Sequence, residues 1–275
     1  MPELPEVETI VRDLQSRLVG RVIQSVAVVL PKVVAAPAAS QFCRLLQGRE
    51  ITHLRRRGKY ILMDLAGDWT LVFHLRLTGQ LVYSATAEPF PKHTHLVFYL
   101  DQGVLRFTDL RQFGRVRLVP SREIDQVPGL RELGVEPLGP EFNEKEFCRR
   151  LKASRRMIKP LLLDQAFLAG LGNIYTDEAL HRAGIHPERP AATLKAQEAR
   201  ALYRSIREVL REGIDFRGTS VQHYLDGAGQ PGRFQEILRV YRRQGLPCPA
   251  CGTAVARIRC GGRGTYYCPS CQPRR

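Results

Sequence analysis

No apolar run in the 275 residues approaches the ~20 needed to cross a bilayer, so the sequence carries no membrane-spanning helix. Its first residues, MPELPEVE, lack the basic and apolar regions of a secretory leader, and the protein is expected inside the cell. No internal repeat or low-complexity tract is present. Seven cysteines in a chain of that location argue against a disulfide framework. One absence is local. From Arg239 to the C-terminus there are eight arginines and not a single acid.

What is present is an ordinary globular composition, 44% hydrophobic and 25% charged, long enough for one large domain or two medium ones. Lys+Arg number 42 against 27 Asp+Glu, a net charge of +15. A basic surface alone can be a solubility device. Here the charge is gathered, in the acid-free C-terminus and in RRRGK at Arg55–Lys59. Clustered charge fits a phosphate footprint, so nucleic acid is the expected partner. Against that background MPELPEVE is a misfit, with prolines three apart and three glutamates at the start of a basic protein.

Along the chain, Val7, Ile10, Val11, Leu14 and Leu18 fall at the spacing of an amphipathic helix over 6–19. Pro5 occupies its first turn, where the missing N–H costs nothing, and Gly20 ends it. Short β-branched and aromatic runs follow: RVIQSVAVVL, YILMDL, TLVFHLRL, QLVY, HLVFYL, VLRFTDL and RVRLV. They predict a sheet sandwich or flattened barrel with the first helix laid against it. A helix near 38–47 interrupts the series. After about residue 120 the segment becomes rich in Pro and Gly and reads as a linker. Helices are then predicted over 144–153, from near Pro160, after GLGN, and over 195–212. The stretch 214–236 has four glycines and little periodicity, and is predicted to be a long functional loop.

Cys248 and Cys251 form CPAC, Cys268 and Cys271 form CPSC, and 16 residues separate the pairs. This is zinc-ribbon spacing: two turns close a tetrahedral thiolate site, with no open position for catalysis. One structural Zn²⁺ is expected. Cys43, Cys148 and Cys260 read as ordinary core or surface residues. Residues 253–267 are predicted to form a hairpin with Arg263 near its tip, either a turn arginine in water or a phosphate contact.

PELPEVE, RRRGKY, DLRQFG, AGLGNIYTDEAL and the four-cysteine ribbon together resemble the bacterial formamidopyrimidine-DNA glycosylase family of 8-oxoguanine repair enzymes. The likeness runs essentially end to end, and the combination is highly specific, although GLGN or a ribbon alone would be weak. It implies an α+β multidomain fold: a catalytic β-sandwich with an N-terminal helix over 1–130, a linker over 131–142, a helix-two-turns-helix module over 143–236 with the lesion-recognition loop at about 214–236, and a zinc finger over 237–275. It implies a bifunctional glycosylase and AP lyase acting on damaged double-stranded DNA. The expected state is a monomer, off the membrane, in the bacterial cytoplasm with the nucleoid.

The resemblance also assigns residues. Pro2, exposed as a secondary amine by removal of Met1, is the implied nucleophile. An α-amino group has a pKa near ~8 against ~10.4 for lysine, so more of it is neutral at physiological pH. Glu3 is the implied acid/base, and Lys59 an active-site contact to phosphate near the lesion. Both Glu3 and Glu6 also read as first-turn carboxylates favoured by the helix N-terminus, and Glu8 as helix surface. His74, Asn173, Tyr241 and Arg263 are implied phosphate contacts, with Asn173 reading equally well as an N-cap. Leu77, Arg111 and Phe113 fill the gap left by the extruded base. Arg111 reads the orphaned cytosine. Leu77 stands where many relatives carry methionine, with similar volume but less flexibility. Thr219, Ser220 and Tyr224 are candidates to line the lesion loop. The endonuclease VIII type, which removes oxidised pyrimidines, shares the proline, the first glutamate and the finger, while PELPEVE and the Arg111/Phe113 pair favour the purine branch. The rival from another class is a non-catalytic DNA-damage-binding protein.

Overall fold

The structure is a computed structural model and describes residues 1–86, 90–220 and 224–274. Two compact units divide the chain: Met1–Arg131 with Phe216–Arg233, and Glu132–Asp215 with Phe234–Arg275.

The first unit opens with α1 (Leu4–Leu18), whose apolar spacing buries Leu4, Val7, Ile10, Val11, Leu14 and Leu18. Pro5 lies in its first turn, as expected. The chain continues through β1 (Ile23–Val28), β2 (Val34–Ala36), α2 (Ala39–Leu46), β3 (Ile51–Arg57), β4 (Tyr60–Leu65), β5 (Trp69–His74), β6 (Gly79–Ser84), β7 (Thr94–Leu100), β8 (Val104–Asp109) and β9 (Arg115–Pro120). Among the described residues these strands form a four-stranded sheet, β1-β7-β8-β6, and a five-stranded sheet, β2-β9-β5-β4-β3. Both sheets, α1 and α2 feed one core that includes Ile10, Leu14, Phe42, Ile61, Phe73 and Phe98. The Phe73 and Phe98 rings, from different sheets, meet edge to face at 6.0 Å, a favoured aromatic geometry. The unit is a β-sandwich with α1 packed on β3, β4 and β6.

Two features of this unit depart from the sequence reading. Strand β3 covers RRR, where three successive arginines hide any alternation. Arg55 instead pairs with Asp64 of β4 at 2.9 Å, and Arg56 with Glu8 of α1 at 2.9 Å. The other concerns Phe216–Arg233, expected as part of the helical module and found in the β-sandwich unit. At Gly227 the backbone lies directly on α1. A Cβ on Gly227 would come within 2.9 Å of Asp13 and 3.0 Å of Leu14. Residues 221–223 of the expected lesion loop lie outside the described residues.

The second unit holds α3 (Glu144–Lys152), α4 (Ile158–Leu163), α5 (Asn173–Arg182) and α6 (Ala196–Asp215). Asn143 caps α3 by accepting from Glu146 N–H at 2.9 Å. The buried stripe of α6 is Ala199, Leu202, Ile206, Val209 and Leu210, as its periodicity predicts, and it packs on α3 and α5. Strands β10 (Ala256–Cys260) and β11 (Arg263–Tyr267) form an antiparallel hairpin that rests on α5. Among the described residues no helix is long and apolar enough to cross a membrane.

Candidate active site and metal centre

Pro2 and Glu3 are buried at the entrance to α1. The Glu6 carboxylate accepts the Glu3 N–H at 2.8 Å, satisfying a first-turn donor that has no partner within the helix. The other Glu6 oxygen accepts the Thr219 N–H at 2.7 Å, and Tyr224 Oη donates to the Glu6 carbonyl at 3.3 Å. Ser220 Oγ donates to the Tyr224 carbonyl at 2.8 Å and accepts Gly232 N–H at 2.9 Å. The structure therefore brings Thr219, Ser220 and Tyr224 to the same end of α1 as Pro2 and Glu3. Arg217 fastens the base of this loop, with Nη2 2.6 Å from Asp13 of α1 and 2.5 Å from the fully buried Asp226.

Lys59 is buried in the turn between β3 and β4. Glu8, read as helix surface, bonds both Arg12 and Arg56, and Arg56 Nη1 donates to the Gly58 carbonyl at 3.0 Å. One carboxylate thus links the start of α1 to the turn that carries Lys59. Burial raises the Glu8 pKa, but the Arg56 and Arg12 guanidiniums outweigh it and the net shift is down. Tyr60 pairs in register with His74 and their rings meet edge to face at 4.4 Å. Burial, reinforced by the charges of Arg76 and Lys59, pulls the His74 pKa down to about 3. The ring is neutral, and because Nδ1 accepts the Arg76 N–H at 3.1 Å, its proton sits on Nε2.

The β5–β6 and β8–β9 turns present the gap-filling candidates. Leu77 is 37% exposed and Phe113 47%. The Arg111 guanidinium lies over the Phe113 ring, 5.0 Å from its centroid. Both turns are built on Asp109, a buried residue that sequence reasoning passed over. Its carboxylate accepts Thr78 Oγ1 at 2.5 Å, Arg111 N–H at 3.2 Å and Gly114 N–H at 2.7 Å.

In the second unit Gly172, not Asn173, is the N-cap of α5. Asn173 Nδ2 donates instead to the Gly264 carbonyl at 2.9 Å, beside Arg263 at the exposed end of the hairpin. Gly172, with no side chain, makes no side-chain cap bond at the start of α5. The two acids of NIYTDEAL are structural. Glu178 accepts the N–H groups of Arg239, Val240 and Tyr241 at 2.9, 3.0 and 2.8 Å. Asp177 accepts Tyr266 N–H at 3.0 Å and Lys159 Nζ at 2.7 Å in a fully buried pair. Together they moor both Tyr241 and the hairpin to α5.

The Sγ atoms of Cys248, Cys251, Cys268 and Cys271 all lie within 4.8 Å of one another. The Cys248–Cys271 and Cys251–Cys268 separations, 3.9 and 3.4 Å, bracket the about 3.8 Å edge of a tetrahedron with Zn–S bonds of about 2.3 Å. The four thiolates fit one Zn²⁺. His181 of α5 places Nε2 3.3 Å from Cys248 Sγ, an outer contact that orients a ligand. Cys260 is no ligand: its thiol is buried against Pro187 and Met157.

Three family models match this chain: the formamidopyrimidine-DNA glycosylase N-terminal domain over residues 1–116, the formamidopyrimidine-DNA glycosylase H2TH domain over 133–224, and the zinc finger found in FPG and IleRS over 245–274. The formamidopyrimidine-DNA glycosylase of Pelotomaculum thermopropionicum is 52% identical over 273 residues, covering 99% of both chains. The chain belongs to the formamidopyrimidine-DNA glycosylase family. The family enzyme of Moorella thermoacetica is 52% identical over 94% of this chain and 95% of its own. Among solved structures, wild-type Lactococcus lactis Fpg with DNA containing N7-benzyl-Fapy-dG matches with a TM-score of 0.93 at 38% identity, over 99% of this chain and 100% of that one. The same wild-type enzyme with DNA containing an oxidised pyrimidine matches with a TM-score of 0.92 at 37% identity and the same coverage.

The family fold thus arrives with its zinc finger and its α1 entrance both assembled. Two consequences can be measured. His74 has a folded pKa far below the ordinary value of 6.5, so the unfolded chain binds a proton that the folded chain refuses between about 3 and 6.5. Its contribution is complete above pH 6.5 and is lost as pH falls toward 3. Urea titrations of His74→Asn should show a shallower loss of stability between pH 4 and 6, by about one proton. Chelating zinc should free the moorings on α5. Hydrogen exchange is expected to lose protection at the amides of 239–241 and 264–266, with the β-sandwich amides unchanged.

Proposed function

We propose that this chain is a bifunctional DNA glycosylase and AP lyase of base-excision repair, removing oxidised purines such as 8-oxoguanine and formamidopyrimidines from duplex DNA. The observation that carries the reading is the buried Pro2–Glu3 pair at the entrance of α1, in a chain that matches its family from end to end.

The chemistry follows from the amine. With Met1 attached, Pro2 nitrogen is an amide and inert. With Met1 removed it is a secondary amine that attacks C1′ of the damaged nucleotide, and the base departs as its glycosidic bond breaks. Glu3 supplies the proton to the sugar ring oxygen and afterwards accepts protons. The product is an iminium, whose fixed positive charge acidifies the C2′ proton. Loss of that proton expels the 3′ phosphate, and a second elimination expels the 5′ phosphate. Hydrolysis then returns the amine.

The remaining residues hold the DNA. Lys59 neutralises the phosphate beside the lesion. His74, neutral with its proton on Nε2, donates a hydrogen bond without adding charge. Asn173, Tyr241 and Arg263 take phosphates from the helical and finger side, where the acid-free C-terminal sequence keeps the field positive. The structural Zn²⁺ fixes the finger and takes no chemical part. Base extrusion leaves a hole, which Leu77, Phe113 and Arg111 fill, Arg111 reading the opposite cytosine. Thr219, Ser220 and Tyr224 flank the loop over the extruded base. The protein works as a monomer in the bacterial cytoplasm, away from membranes.

A second reading, removal of oxidised pyrimidines, has one observation in its favour: the Lactococcus lactis relative was solved with such DNA. Binding therefore does not discriminate the two, and rate does. Single-turnover excision from duplexes with 8-oxoguanine opposite cytosine is expected to exceed that from thymine glycol. A faster reaction on thymine glycol would replace the purine reading with the pyrimidine one, and DNA binding without excision of either would leave only a damage-binding protein.

A further inference from the structure

The turns that carry Leu77, Arg111 and Phe113 share one polar keystone. The geometry points to Asp109 and Thr78 as the positioning residues that set selectivity for the base opposite the lesion. This rests on the reading of Arg111 as the residue that contacts that base.

Asp109 is held at both its main-chain atoms. Its N–H donates to the His93 carbonyl at 3.0 Å, and its carbonyl meets His95 Nε2 at 2.8 Å. Its carboxylate has about four lone-pair sites, and three are engaged by donors from the two turns. Thr78 is the joint between them. Its hydroxyl donates to Asp109 Oδ1 and accepts the Arg111 N–H at 3.0 Å. The Arg111 turn has no slack. Gln112 adopts a φ of +58°, and a Cβ at Gly114 would come within 2.5 Å of Phe107 Cζ and 3.1 Å of the Asp109 carboxylate. On the other turn a Cβ at Gly79 would lie 2.4 Å from the Leu75 carbonyl oxygen.

One buried carboxylate and one hydroxyl therefore tie together the two turns that carry the three side chains, while the side chains themselves are exposed. Three exposed side chains moving independently would read a base poorly, because each must be ordered on binding. Presented by a single rigid platform, they enter the duplex as one wedge. Asp109 and Thr78 touch neither lesion nor opposite base. They act through Arg111.

The test compares Thr78→Val, which removes the joint at nearly constant volume, Thr78→Ser, which keeps it, and Asp109→Asn. Single-turnover excision of 8-oxoguanine is measured opposite cytosine and opposite adenine, with strand cleavage at an abasic site recorded on the same preparations. A good base contact discriminates by about 5- to 150-fold. Thr78→Val and Asp109→Asn are expected to lower the cytosine-over-adenine ratio about tenfold, Thr78→Ser to keep it, and abasic-site cleavage to stay within about twofold in all. A wild-type ratio in Thr78→Val, or a fall in abasic-site cleavage as large as the fall in excision, overturns the inference. Arg111→Ala separates the two layers: an unchanged ratio there overturns the assignment of Arg111 and with it the role of the platform.

Discussion

The Glu6 carboxylate is the interaction on which the proposed site depends. One oxygen holds the Glu3 N–H and the other the Thr219 N–H, at 2.8 and 2.7 Å. The first bond fixes where the helix begins, and so where Pro2 and Glu3 sit. The second brings in a segment more than two hundred residues away in sequence. A carboxylate this buried is tolerated only when hydrogen bonded. Substituting Glu6 therefore would not simply delete a charge. It would strip a helix donor and a loop donor of their acceptor at the same moment.

The same device recurs. Asp226 accepts from Ala228 and Gln230 N–H while binding Arg217, Asp109 accepts from Thr78, Arg111 and Gly114, and Glu178 gathers three consecutive N–H groups. In a protein of net charge +15, Glu6, Asp109, Glu178 and Asp226 are buried and order loops. The acidic start of the chain stops being a misfit on this view. Its glutamates are placed by geometry: Glu3 beside Pro2 at the start of the helix, Glu6 on the loop, Glu8 on Arg56.

Helix α1, the apolar strands and α6 were legible because each repeats its buried positions at a period of 3.6 or 2 within a short window. The zinc site was legible because four thiolates at fixed spacing have few other uses. What was hidden had its partners far away in sequence. Strand β3 makes sense only with Asp64 and Glu8 beside its arginines. The described residues of 216–233 show no periodicity, because their order comes from bonds to α1 and from side-chain bonds within the loop. Asp109, Thr78 and Glu178 bond backbone N–H groups, which every sequence has. The signal that pointed nearest to them was position: Thr78 follows Leu77, and Asp109 and Glu178 stand inside DLRQFG and AGLGNIYTDEAL, all singled out in the sequence.

The central claim is that the amine of Pro2 attacks the sugar, and the site of covalent attachment tests it most directly. The processed protein is reacted with an abasic duplex in borohydride, digested, and the modified peptide sequenced by mass spectrometry. The account predicts a deoxyribose adduct on the nitrogen of Pro2, and none in a chain that retains Met1. An adduct on Lys59 or another lysine, or equal trapping with Met1 in place, would contradict it.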